Sequence, residues 1–102
     1  MIEVRGLSNE TVVLDGEWFE KLRGGTSKTR LPAGSFVSAD VKEIDRRKKL
    51  FGGDREQLIQ ITLTFDRPPF VGLMTPAANR DKVDALLAGL AAARDRSQPP
   101  TQ

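Results

Sequence analysis

The hydrophobic period of this chain changes once, near residue 75, and that switch sets the fold class. Before it, apolar residues recur at every second position in short stretches; after it, they recur at helical spacing. The clearest stretch is Leu58 to Phe65. Ile59, Ile61, Leu63 and Phe65 share one face, and Gln60, Thr62 and Thr64 suit a solvated one. Shorter runs of the same kind are Ile2–Val4, Glu10–Asp15, Glu17–Arg23, Lys28–Leu31, Phe36–Asp45 and Phe70–Thr75. Asp15-Gly16 is a hairpin signal, because this pair tolerates positive φ at both central turn positions. Gly24-Gly25-Thr26-Ser27 reads as a flexible turn, and Pro32 ends the short piece before it. Val37, Ala39 and Val41 are expected to share a face. Arg46 to Asp54 reads as a mobile, charged hairpin loop.

Past the switch, Val83, Leu86, Leu87, Leu90 and Arg94 form one helical stripe. Thr75 is expected to cap the helix, with Pro76 at its first position. Asp81 and Asp84 lie early and Arg94 and Arg96 late, which suits the helix dipole. A single domain is expected over residues 1–96, with 97–102 a disordered tail. The fold class is α+β, mainly β: about seven antiparallel strands in a strongly bent sheet, closed by one C-terminal α-helix.

The 102 residues include no histidine and no cysteine. Thiolate metal sites, disulfides and Ser-His or Cys-His pairs are therefore excluded. Catalysis would rest on carboxylates or lysines, so an enzyme is not expected, nor is any cofactor or metal. Asp40, Glu43 and Asp45 do not make a metal cluster, because on a strand Asp40 points away from the other two. No apolar run is long enough to span a bilayer, and the N-terminus does not read as a signal peptide, so the cytoplasm is the expected location.

The net charge is +2, yet the charges are segregated. Nine basic and three acidic residues lie between Lys21 and Lys49, a net of +6, which leaves −4 for the remainder. One part of the fold is thus expected to present a positive face to a partner.

The order of seven strands and one helix resembles the pleckstrin-homology-like superfold, a half-open barrel plugged by its helix. Thr11 to Trp18 is similar to the "strand, Asp-Gly, aromatic" opening of the small domains of this type in actinobacterial proteins and their phages. Thr29 to Val41 resembles their step into the central strand, and Val83 to Leu90 their closing helix. The resemblance implies a non-catalytic binding or adaptor module, such as a bacterial or phage accessory protein acting on a host factor.

The sharpest binding pattern is Lys21, Lys28 and Arg30, spaced across a glycine turn like a phosphoinositide signature; Arg23 belongs to the same hairpin. Arg46, Arg47, Lys48 and Lys49, followed by Leu50 and Phe51, form a basic loop with an apolar tip. A protein partner is the leading expectation and anionic lipid the alternative. A homodimer through an edge strand is a further option. Nucleic acid is not expected, because no aromatic residues interleave with these cations. Gly24 to Lys28 lacks the spacing of a phosphate loop. Trp18 reads as a core or barrel-mouth residue.

Overall fold

A computed structural model describes residues 1–47, 55–67 and 70–97, with 46, 47 and 55 described by backbone only. Seven strands lie among the described residues: β1 (Ile2–Arg5), β2 (Glu10–Asp15), β3 (Trp18–Arg23), β4 (Thr26–Pro32), β5 (Phe36–Arg47), β6 (Arg55–Phe65) and β7 (Val71–Pro76). One α-helix, α1 (Arg80–Ser97), follows them. The strands form two antiparallel sheets, β1-β2-β3-β4 and β5-β6-β7, and neither sheet closes on itself.

The turns explain the strand limits. Asp15 pairs with Trp18, so the central turn residues are Gly16 and Glu17, not Asp15 and Gly16. Positive φ falls on Gly16 alone, as a type II′ turn requires at its first central position. Gly24 and Gly25 both have positive φ, the I′ pattern, and Arg23 pairs with Thr26 directly across them. Thr26 and Ser27 are consequently strand residues rather than part of a flexible turn, and β4 runs through Pro32 at the sheet edge.

Phe19 and Phe65 join the two sheets, with ring centroids 5.0 Å apart, and Phe36 meets Phe65 edge-on at 5.9 Å. Around them, Val12 and Leu14 from the first sheet and Ile61 and Leu63 from the second are buried in one cluster. The helix covers this cluster with Val83, Leu86, Leu90 and Ala93, while Leu87 is only partly buried. Arg94 leaves the apolar stripe: its guanidinium lies 5.7 Å from the Phe36 ring and donates to the Val37 carbonyl at 3.0 Å. Gly89 marks the close approach of α1 to the first sheet. A Cβ there would meet Leu14 Cδ2 at 2.6 Å, so the helix-weakening glycine is what allows the contact.

Three further local expectations are corrected. Val37 does not share the face of Ala39 and Val41. A bulge between Phe36 and Ser38 turns Phe36 into the core and leaves Val37 48 % exposed. Thr75 is not a helix cap. It is a buried residue of β7, one before the strand's end, and its hydroxyl donates to the Arg5 carbonyl at 2.7 Å and accepts from Asn79 Nδ2 at 2.8 Å. A 3₁₀ turn, Ala77–Asn79, intervenes before α1. Ser97 ends the helix, its hydroxyl bonded to the Ala93 carbonyl, rather than opening a tail; residues 98–102 lie outside the described residues.

Alternation along β3 places Phe19 inward and Trp18 outward, so neighbouring truncations should differ sharply. Phe19→Ala is expected to remove about 3–5 kcal/mol. Trp18→Ala should remove only about 1 kcal/mol, near the value of one exposed cation–π contact. Urea denaturation of the two variants checks this.

Candidate functional site

Strand pairing assigns the outward face of the first sheet. Glu3, Val13, Glu20 and Arg30 lie side by side across β1 to β4, and Asp15, Trp18 and Pro32 form the row beside them. Arg30 reaches across to Trp18, its guanidinium carbon 4.3 Å from the ring centroid. Trp18 is 44 % exposed, which excludes it from the core. A hollow of ≈ 330 Å³ opens here, lined by Trp18, Arg30, Val13, Leu22, Glu3 and Glu20 among others. A second, ≈ 480 Å³, continues toward Arg5 and Gly24, and Val13 and Leu22 line both. The face therefore has a shallow apolar floor with a charged rim, in which Glu3 and Arg5 pair at 2.9 Å. An exposed aromatic clamped by arginine over such a floor is chemistry suited to desolvated contact with another molecule.

Among the described residues, the cations singled out from the sequence do not converge on one face. Lys21 faces the opposite way, on the side of Phe19. Its ammonium donates to the Gly72 carbonyl on β7 at 2.8 Å and lies 3.6 Å from Glu10 Oε2. It ties the two sheets together. Arg23 is exposed at the end of β3, and Lys28 is the unpaired residue of a bulge in β4. Arg30 stands opposite Glu20, on the Trp18 face. Lys21 and Arg30 thus lie on opposite sides of one sheet. Arg46 and Arg47 extend β5, in register with Glu56 and Arg55. Lys48, Lys49, Leu50 and Phe51 lie outside the described residues. Glu43 pairs with Arg80 at 3.2 Å. Among the described residues, no group of three or more acidic side chains is gathered to hold a metal ion, and no helix is long and apolar enough to cross a membrane.

The Trp18–Arg30 stack is the feature that sequence reasoning missed. Its signal was present in β3: Phe19 and Trp18 are adjacent, so only one could point into the core. The inward lysine could have been found the same way, since Lys21 shares its face with Phe19 and needs acceptors there.

No family model, curated protein or solved structure matches this chain.

Removing the Lys21 amine should separate its structural role from that of the exposed cations. Lys21→Met leaves the Gly72 carbonyl without this donor and should cost about 1–3 kcal/mol. Lys28→Met should stay within about 0.5 kcal/mol of the parent. Chemical denaturation midpoints at constant m-value read the difference.

Proposed function

We propose that this chain is a non-catalytic interaction module that binds a protein partner through the outward face of its first sheet. On this reading the two sheets and α1 are the parts of a pleckstrin-homology-like half-open barrel. The protein acts as an adaptor or accessory factor in a bacterial cytoplasm, encoded by the bacterium or by a phage. The order of a four-stranded sheet, a three-stranded sheet and a C-terminal helix supports the architecture. The observation that carries the binding role is Trp18, half-exposed under Arg30 and lining one of the two hollows that share Val13 and Leu22. Tryptophan and arginine over an apolar floor are the residues on which protein contacts concentrate their free energy. Anionic lipid is the weaker alternative, because Lys21 is engaged by Gly72 and Glu10 and Arg30 by Trp18. Arg23, Lys28 and Arg30 are the exposed cations of the hairpin, and of these Arg30 is held by Trp18.

Quantitative affinity capture from bacterial lysate, with parallel sedimentation on anionic vesicles, tests the choice. Trp18→Ala should weaken retention of the captured protein about 30-fold, the size of a hot-spot truncation. Arg23→Glu with Lys28→Glu should change it less than about threefold. Vesicle pelleting that the Arg23/Lys28 reversal abolishes, or capture indifferent to Trp18→Ala, would overturn the protein-binding assignment.

A further inference from the structure

The two sheets present four edge strands, and they are not equally protected. β7 is covered: Leu7 N donates to the Met74 carbonyl at 2.8 Å, and Lys21 occupies the Gly72 carbonyl. β1 is short, and both Thr75 and Asn79 donate to the Arg5 carbonyl. β4 is blunted by the bulge at Lys28 and by Pro32, two devices that oppose strand addition. β5 is different. Among the described residues it pairs with β6 alone, and it runs from Phe36 to Arg47. At its bulge the Arg94 guanidinium donates to the Val37 carbonyl at 3.0 Å. From Ser38 to Ile44 no strand or bulge among the described residues covers it, and α1 reaches it only through the Arg80 side chain, which pairs with that of Glu43 at 3.2 Å.

The sequence of that open stretch is self-complementary. Val41 lies at its centre, with Asp40 before it and Lys42 after it. Both charged residues are exposed, and among the described residues neither has an ion-pair partner. We infer that the outer edge of β5 docks a second copy of this chain, antiparallel, about a two-fold axis through Val41. In that register Asp40 faces Lys42 of the second copy, and Lys42 faces its Asp40. Ser38 stands opposite Ile44 and Ala39 opposite Glu43. Opposite charges directly across an antiparallel pair stabilise it. The neighbouring symmetric registers, centred on Asp40 or on Lys42, set like charges against themselves, so the pattern selects one alignment. The result is a continuous six-stranded sheet, β7-β6-β5-β5-β6-β7, closed by an isologous contact. Trp18 lies on the other sheet, so this contact is independent of the binding role proposed above.

Sedimentation equilibrium of the full chain, followed up to about 1 mM, tests the inference. The parent should reach twice the chain mass. Lys42→Asp places two carboxylates across each symmetric contact and should raise the dimer dissociation constant about tenfold or more. Asp40→Lys with Lys42→Asp restores the complementarity in reverse and should return the constant to within about threefold of the parent. Amide exchange between Ala39 and Glu43 should slow as the parent is concentrated, and circular dichroism confirms that each variant is folded. A parent that stays monomeric overturns the inference. So does a Lys42→Asp variant that dimerises as tightly as the parent, or a double swap that fails to restore what the single change removed.

Discussion

Contact between Phe19 and Phe65 is the interaction on which the rest of the arrangement depends. Each ring belongs to a different sheet, and their meeting at 5.0 Å fixes which face of each sheet is inward. Strand geometry then leaves no freedom. With Phe19 inward, Trp18 and Glu20 must point outward and Lys21 inward. Lys21 brings a charge to the core side of the sheet, where it needs acceptors. It finds the Gly72 carbonyl and Glu10, and in doing so covers part of the β7 edge. Trp18 is left on the open face, where Arg30 stacks on it.

Much of this was legible in the sequence, because side-chain period survives translation into structure. The alternating run Ile59, Ile61, Leu63 and Phe65 is buried as expected, and so is the stripe of Val83, Leu86 and Leu90. What was not legible is register. A bulge inserts one residue without changing composition or local propensity, and two bulges decide the surface. At Val37 the bulge exchanges which of two adjacent apolar residues is buried. At Lys28 it moves Thr29 opposite Lys21 and Arg30 opposite Glu20, which brings Arg30 within reach of Trp18. Cross-strand partners of this kind depend on pairing that no single stretch of sequence encodes. Thr75 shows the same limit, since its hydroxyl is satisfied by Arg5, far away along the chain.

Among the described residues, charge segregation along the chain likewise did not become segregation in space. The stretch from Lys21 to Lys49 carries a net of +6, but the five of its cations whose side chains are described are divided among several environments. Lys21 bridges the sheets, Arg30 lies on the Trp18 face, Arg23 and Lys28 occupy a hairpin, and Lys42 sits on β5. A linear excess of one sign becomes a field at a surface only when strand alternation keeps the charges on one face. Here alternation and a bulge disperse them, and the distinctive chemistry of the first sheet shifts from a cation cluster to an aromatic one.

Trp18 is the sole tryptophan, so its fluorescence reports this geometry without labelling. The most direct measurement is acrylamide quenching of the native chain, compared with the same chain unfolded in urea. With Phe19 inward and Trp18 outward, the native quenching constant should be a substantial fraction of the unfolded one, and Arg30→Ala should raise it further. A native tryptophan that acrylamide barely reaches would place Trp18 in the core, contradicting both the register of β3 and the binding surface built on it.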